Sequence, residues 1–231
     1  MKNLLKSLWK WTKRLMIAFF AFSILSVVAL RFLPVYITPL MLIRSTAALV
    51  HGEHVRMKKT WEPLDKISPS LELAVFCSED QDFFNHHGFN FDAIKSAWKH
   101  DERSKRLRGA STISQQTAKN VFLYPSRSWV RKGFEAYFTV LIEFIWGKRR
   151  IMEVYLNVVE LGKGIYGAEA ASEFYFSKHA KDLTPSEAAS LAAILPDPLK
   201  WSPVNPGPYV TERRQWILGQ MDNYGGLPVK H

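Results

Sequence analysis

The residues with the clearest chemical potential lie between positions 79 and 88, where the sequence EDQDFFNHHG places a carboxylate among aromatic side chains just before a turn. In a helix, Glu79 would lie three residues after Phe76 and four before Phe83, so it would share a flank with apolar side chains. A carboxylate held there is partly desolvated, which raises its pKa and makes it a better proton acceptor near neutral pH. The block therefore indicates a catalytic base, although surface acids at the end of a helix closed by Gly88 would give the same pattern.

A second block, GASTISQQTAKN at residues 109–120, combines a helix start with several hydrogen-bond donors. Thr112 with Gln115 predicts a capped helix N-terminus. On that helix one face would carry Thr112, Gln116, Lys119 and Asn120. A helix N-terminus, a hydroxyl, an amide and an ammonium together suit a phosphate or sugar ligand. A well-capped surface helix with a polar face explains the same spacing, and spacing alone favours that simpler interpretation.

A third block gathers cations around a carboxylate at the start of a long helical pattern. Its members are Arg127, Arg131, Lys132 and Glu135. Arg131 and Glu135 are four residues apart, which as ordinary structure predicts a surface salt bridge worth a few tenths of a kcal/mol. As a functional group, the cations could hold a pyrophosphate while keeping Glu135 ionised.

The N-terminus combines a basic segment with a long apolar run. Five cations within residues 1–14 precede the run LMIAFFAFSILSVVAL, and the apolar character resumes after Arg31. A spanning helix needs about 20 residues, so residues 15–33 are expected to cross a membrane with Arg31 reaching the far interface. A cleaved signal peptide is the alternative. Because the first acidic residue is Glu53, the basic segment is expected to stay cytoplasmic and the rest of the chain to face outward.

The composition of the chain restricts the kinds of partner that it is expected to bind. The 231 residues carry a formal net charge of +10, which indicates a polyanionic partner. Behind a membrane anchor, anionic lipid headgroups or a phosphorylated lipid substrate fit this charge better than nucleic acid, which is not expected as a partner. Cys77 is the only cysteine, so no internal disulfide can form, and no His/Cys group has the spacing of a zinc site.

The remaining sequence divides into a connector and one domain. Residues 34–69 are expected to form a membrane-proximal connector, whose first part, residues 34–43, lies along the membrane surface. Residues 70–231 have helical periodicities and almost no alternating strand patterns, so the domain is expected to be all-α. Its expected helices include one from about residue 128 to 146, one opened by the capping box at residues 184–187, and a last one near residues 211–221.

Taken in order, these blocks resemble the peptidoglycan glycosyltransferases of glycosyltransferase family fifty-one, in their monofunctional biosynthetic form from Gram-negative bacteria. E-D-x-x-F-x-x-H-x-G matches residues 79–88, and G-A-S-T-I-x-Q-Q-x-x-K-N matches residues 109–120. R-K-x-x-E matches residues 131–135, and K-x-x-I-x-E-x-Y-L-N matches residues 148–157. No Lys-Thr-Gly motif of a fused transpeptidase is present, so the resemblance implies a monofunctional enzyme.

The resemblance implies a lysozyme-like fold and assigns roles to particular residues. The enzyme would polymerise lipid II into β-1,4-linked glycan strands and release undecaprenyl pyrophosphate, with Glu79 as general base and Glu135 as second carboxylate. The expected substrate-binding residues are Asp80, Phe83, His86, Ser111, Thr112, Gln116, Lys119, Asn120, Arg127, Arg131 and Lys132. Within this set, Ser111 and Thr112 are expected to line the donor pocket, and His86 is expected to be structural and to bond backbone carbonyls.

The same resemblance sets expectations for cofactors and location. No cofactor is required, and Glu135 is the one candidate ligand for an assisting divalent cation, Mg²⁺ or Mn²⁺. The protein would be a single-pass protein of the bacterial inner membrane with a periplasmic catalytic domain. Its partners would be lipid II, the growing glycan strand, membrane lipid, and other cell-wall synthases and division proteins.

Two other functions fit parts of the sequence. A lytic transglycosylase or muramidase also uses a glutamate on a lysozyme-like scaffold, but it needs neither pyrophosphate-binding cations nor access for a polyprenyl chain. A membrane-anchored basic scaffold for cell-wall proteins would need no catalytic carboxylate at all.

Overall fold

The structure, a computed structural model, describes residues 2–52, 54–91, 95, 111–126 and 128–228. In chain order, the helices of these residues are α1 (Lys2–Phe32), α2 (Pro39–Val50), α3 (Pro69–Glu79), α4 (Ile113–Phe122), α5 (Trp129–Ile145), α6 (Lys148–Val158), α7 (Ala168–Phe176), α8 (Pro185–Ile194) and α9 (Pro208–Tyr224). The other elements are three short strands, β1 (Lys58–Lys59), β2 (Glu160–Gly162) and β3 (Ile165–Tyr166), and two 3₁₀ turns, Leu64–Lys66 and Ala180–Asp182. The expectation of a mostly α-helical chain is confirmed.

Local capping explains where the central helices begin. At α4, the Thr112 hydroxyl accepts the Gln115 N–H at 3.1 Å while the Gln115 side chain accepts the Thr112 N–H at 3.1 Å. The same reciprocal arrangement of Thr184 and Glu187 opens α8. At α5, the Ser128 hydroxyl accepts the Arg131 N–H at 3.1 Å. The helix starts expected at these three places are therefore confirmed.

The core forms where α3, α8 and α9 pack on one another and α4 packs between α5 and α6. Fully buried side chains of α3, such as Ala74 and Phe76, meet the alanine-rich α8, whose Leu191 and Ala192 are also fully buried. Small residues on α8 let the helices approach closely, so α3 is fixed along its length. Its last residue, Glu79, is consequently held at a defined position in the molecule.

A small sheet joins the connector to the body, a feature that the sequence did not predict. β1 pairs in parallel with β3, and β2 pairs antiparallel with β3, giving the order β1-β3-β2. A Cβ atom on Gly164 would lie 2.0 Å from the Arg56 carbonyl oxygen, so only glycine permits this close approach, with φ of +72°. Residues before position 70 thus contribute to the folded body, and the division of the chain at residue 70 stays a prediction.

The N-terminal helix α1 docks on α5 and α6. Residues Lys6–Phe32 are long and apolar enough to cross a membrane. The hydroxyls of Ser23 and Tyr137 are 2.7 Å apart, and the Trp146 indole N–H donates to the Val27 carbonyl at 2.7 Å. Arg150 donates to the Leu30 carbonyl at 2.8 Å. These bonds attach the C-terminal part of α1 directly to the body.

Two boundaries differ from those expected. The membrane-surface segment was expected to cover residues 34–43. In the structure, Thr38 caps a helix, α2, that runs from Pro39 to Val50. The last helix begins at Pro208, three residues before the expected start, since proline is favoured at the first helical position.

Candidate active site

Glu79 ends α3 with only 14% of its side chain exposed. The Gln116 amide of α4 donates to its Oε2 at 2.7 Å, and the Arg213 guanidinium of α9 lies 3.8 Å from its Oε1. Burial raises the pKa of Glu79; the Gln116 hydrogen bond and the Arg213 charge act against that rise, and the neighbouring Asp80 adds to it. The desolvated carboxylate expected from the sequence is therefore present.

Gln116 is held in one orientation by Tyr155. The hydroxyl of Tyr155, a fully buried residue of α6, donates to the Gln116 carbonyl oxygen at 3.3 Å. Since that oxygen accepts from Tyr155, the amide nitrogen must face Glu79 and donate to it. The three side chains form a directed chain of hydrogen bonds that ends on the carboxylate.

Asp80 and His86 connect the segment at residues 79–88 to the start of α4. The buried Asp80 carboxylate accepts the His86 Nε2–H at 2.9 Å and the Ile113 backbone N–H, at the start of α4, at 3.1 Å. His86 Nδ1 accepts the Gly88 N–H at 3.1 Å, which places the proton of the neutral ring on Nε2. The structural role expected for His86 holds, but its partners are a carboxylate and a backbone N–H. The expected bonds to backbone carbonyls are wrong because the ring faces Asp80.

Glu135 lies inside a cluster of cations on α5. The residue is 2% exposed, and its two carboxylate oxygens pair with Arg131, at 2.6 Å, and with Lys132. The surface salt bridge offered as the ordinary interpretation is therefore wrong, because the carboxylate is buried. A buried carboxylate that pairs with two cations fixes their positions.

Lys119 connects this cluster with Glu79. Burial lowers the pKa of its ammonium, while the charges of Glu135 and Glu79 both raise it, so Lys119 lies within electrostatic reach of both carboxylates. Glu79 and the cation cluster around Glu135 thus belong to one site.

A cleft of about 510 Å³ opens over this site. Its lining comes from α2, α4, α5 and the segments that follow α4, α6 and α8, and includes Gln116, Lys119, Asn120, Ser126, Arg131, Arg44 and Glu160. Two buried polar atoms among the lining residues, Ser126 Oγ and Arg131 Nε, have no hydrogen-bond partner among the residues that the structure describes. A cationic wall with unpaired donors suits an anionic ligand.

The other expected binding residues are spread more widely. Phe83 is fully buried, with the Lys148 ammonium 4.6 Å from its ring centre, and so belongs to the core. Thr112 is also buried, and its hydroxyl donates to the Gly88 carbonyl at 2.7 Å, so it joins the two motifs. Ser111 is exposed, and Arg127 lies outside the described residues.

The comparisons with known proteins agree with this geometry. A family model described as Transglycosylase matches residues 47–222. The biosynthetic peptidoglycan transglycosylase of Bacteroides thetaiotaomicron is 52% identical over 218 residues, which cover 94% of this chain and 88% of the relative. The protein of the same description from Bdellovibrio bacteriovorus is 51% identical over 221 residues, which cover 96% of this chain and 88% of the relative. The one from Pseudomonas aeruginosa is 46% identical over 223 residues, which cover 96% of this chain and 96% of the relative.

The chain belongs to the transglycosylase family. It is therefore an enzyme of the glycosyltransferase class, and the expected lysozyme-like, all-α fold with one N-terminal apolar helix is confirmed.

Four residues of the transglycosylase site were not identified from the sequence. Tyr155 lies in the motif at residues 148–157 but was not predicted to belong to the site. A tyrosine one helical turn from polar residues is a signal that identifies such a candidate. Arg44 and Glu160 line the cleft from α2 and β2 and form an ion pair at 3.6 Å. Arg213, on α9, approaches Glu79 from 134 residues further along the chain, and no local pattern marks it.

The transglycosylase residues do not form a ready divalent-cation site at Glu135. Both carboxylate oxygens are paired with cationic side chains, so a metal ion would have to displace them against the charge of Lys119. Among the described residues, Glu169, Glu173 and His179 also lie close together. There the Glu169 carboxylate accepts from His179 Nδ1 and from a backbone N–H, each at 2.7 Å, which marks it as a local brace.

Proposed function

We propose that this transglycosylase polymerises lipid II, a disaccharide-pentapeptide on undecaprenyl pyrophosphate, into the β-1,4-linked glycan strands of peptidoglycan. One observation carries the proposal: Lys119, which lines the cleft, lies within electrostatic reach of the desolvated carboxylate of Glu79 and of the buried carboxylate of Glu135, which pairs with two cations. The description of the relatives as biosynthetic peptidoglycan transglycosylases supports the same reaction.

In the proposed reaction, Glu79 accepts the proton of the acceptor sugar's 4-hydroxyl as that oxygen attacks the anomeric carbon of the donor strand. The new glycosidic C–O bond forms while the bond from the anomeric carbon to the pyrophosphate oxygen breaks with its electron pair. The raised pKa of Glu79 favours uptake of the proton, and Gln116 orients the carboxylate. Attack opposite to the leaving group inverts the configuration at the anomeric carbon.

The leaving group is undecaprenyl pyrophosphate, an anion that needs charge stabilisation and no general acid. Lys119, Arg131 and Lys132 supply that charge, and Glu135 holds the last two in position. The matching Arg127 is proposed to join them. No step requires a metal ion, since the side chains carry the needed positive charge. The earlier expectation about Mg²⁺ or Mn²⁺ stays a prediction.

We further propose that α1 anchors the enzyme in the bacterial inner membrane with its basic end in the cytoplasm and the catalytic body in the periplasm. The basic residues before position 15 support this direction. The bonds of Ser23 and Val27 to the body favour a retained anchor over a cleaved signal peptide, because cleavage would remove part of the folded contact. Exposed apolar residues of α2, such as Leu42 and Val50, suit contact with lipid.

The test is a lipid II polymerisation assay with Glu79→Gln and a matched control. Glu72→Gln changes the same chemical group on the same helix, two helical turns before Glu79, and burial raises the pKa of Glu72 to about 7. Glu79 is the carboxylate that Gln116 and Arg213 approach. Loss of a general base lowers turnover by about a hundredfold or more. We therefore expect Glu79→Gln to abolish polymerisation while lipid II binding remains, and Glu72→Gln to keep wild-type turnover.

Three results would contradict the proposal. Substantial polymerisation by Glu79→Gln would remove Glu79 as the base. Absence of polymer with the wild-type protein would reject the synthetic reaction. Soluble muropeptides released from cell-wall sacculi would instead support a lytic enzyme.

A further inference from the structure

Arg44 lines the cleft from the helix that follows the anchor. It is the only charged residue of α2, whose sequence is PLMLIRSTAALV. Leu40, one helical turn earlier, lines the same cleft, while the neighbouring Leu42 and Ile43 are exposed. An otherwise apolar helix beside the membrane segment therefore brings one guanidinium to the active site.

The partner of Arg44 is a buried carboxylate in the cleft wall. The Glu160 side chain is 9% exposed and that of Arg44 is 48% exposed, with 3.6 Å between Arg44 Nη2 and Glu160 Oε2. Burial raises the pKa of Glu160, whereas the Arg44 charge and a hydrogen bond with Tyr166 lower it. A distance of 3.6 Å exceeds the usual charge-assisted hydrogen bond, and one carboxylate oxygen engages only part of the five N–H donors of a guanidinium. Arg44 is thus held at the wall with donors left for a ligand.

The charge of the cleft favours such a ligand. Of the described lining residues, Arg44, Lys119 and Arg131 are cationic and Glu160 is anionic, which leaves a net charge of three minus one, or +2. Arg131 already pairs with Glu135, so Arg44 is the cation with the greater freedom to change partner. Cations around one concave site attract phosphate groups, and arginine binds them through paired N–H donors.

We propose that Arg44 is a further phosphate-binding residue of the cleft, which Glu160 and Tyr166 orient toward the pyrophosphate of a lipid-linked substrate. The inference rests on the proposed function, because that function supplies the pyrophosphate. It adds a contact from the membrane-proximal helix to the cations of α4 and α5. The pyrophosphate of a membrane lipid enters from the bilayer surface, and α2 begins only seven residues after α1 ends.

The experiment measures binding of inorganic pyrophosphate to the full chain in detergent micelles by titration calorimetry, together with KM and kcat for lipid II. Arg44→Ala is expected to weaken pyrophosphate binding and to raise KM about tenfold, the loss expected for one charge-assisted hydrogen bond at a half-exposed site, with little change in kcat. Glu160→Gln is expected to leave binding as tight as in the wild type or tighter, because it removes a negative charge and keeps the guanidinium. Lys178→Ala, which breaks a partly exposed ion pair with Glu187 outside the cleft lining, serves as the control and should match the wild type.

The opposite directions of the two variants separate binding from structure. If Arg44 only neutralised Glu160, the double variant Arg44→Ala with Glu160→Gln would bind pyrophosphate as tightly as the wild type, because the net charge of the cleft would be unchanged, and the inference would be wrong. Unchanged binding in Arg44→Ala would reject it as well. The double variant Arg44→Ala with Glu160→Gln leaves no unpaired buried carboxylate, so its weakened binding would support the inference even if Arg44→Ala is unstable. Calorimetry is independent of turnover: a wild type that binds pyrophosphate but makes no polymer contradicts the proposed function alone.

Discussion

Replacing Tyr155 by phenylalanine removes one hydroxyl that positions Gln116 against Glu79, the proposed base. The hydroxyl donates to the Gln116 carbonyl at 3.3 Å, and the Gln116 amide donates to Glu79 at 2.7 Å. The first bond joins neutral groups and is long, whereas the second is short and charge-assisted. Without Tyr155, the amide can turn its oxygen toward Glu79 and lose the second bond part of the time.

The expected cost is about 1–2 kcal/mol, between a neutral and a charged hydrogen bond, which corresponds to about a 5- to 30-fold loss in kcat/KM. The pH dependence gives a second readout. The Gln116 bond lowers the pKa of Glu79, so weakening it raises that pKa further. Glu79 acts in its deprotonated form, and the acid limb of kcat/KM should therefore move to higher pH.

The control is Tyr175→Phe, because the Tyr175 hydroxyl donates to the Leu161 carbonyl at 3.0 Å and neither residue lines the cleft. Lipid II polymerisation measured across pH should show the loss and the shift in Tyr155→Phe only. An unchanged profile in Tyr155→Phe, or an equal loss in Tyr175→Phe, would refute the idea that Tyr155 acts through Gln116.

Two further changes test other parts of the site and fold. Arg213→Met removes a positive charge that lies 3.8 Å from Glu79 and lowers the pKa of that carboxylate. The acid limb of kcat/KM should therefore move to higher pH, and a shift to lower pH would contradict this arrangement. Thr184→Ala removes the hydroxyl that caps α8 and should lower the free energy of unfolding by about 1 kcal/mol, measured by denaturant titration. The kcat per folded molecule should stay unchanged, and a change in kcat would show that α8 affects the chemistry.

The parts of the fold that the sequence predicted are those with local causes. The capping boxes at Thr112 and Thr184 and the cap at Ser128 lie within a few residues of the helices that they start. The sheet lacked such a cause, because Lys58 pairs with Ile165 across more than a hundred residues and each strand has only two or three residues. Period-two patterns cannot show in strands of that length.

The same distinction holds for the site. Glu79, Lys119 and the cluster at Glu135 lie in dense motifs, and the structure brings them together. A surface salt bridge was one of two interpretations of the spacing at Glu135, but burial depends on the packing of several helices and cannot be inferred from a four-residue spacing. Arg213 is absent from the motifs because only the packing of α9 on α3 places it beside Glu79.

The docking of α1 has a consequence for how the enzyme meets its substrate. Ser23 and Val27 bond to α5 and its C-cap, and α5 also carries Arg131 and Glu135. With α1 in the bilayer, the cleft therefore stays at a fixed height and tilt above the headgroups. Encounters with the proposed lipid-linked substrate would then depend on lateral diffusion in two dimensions, and each new linkage would form in the same orientation relative to the membrane.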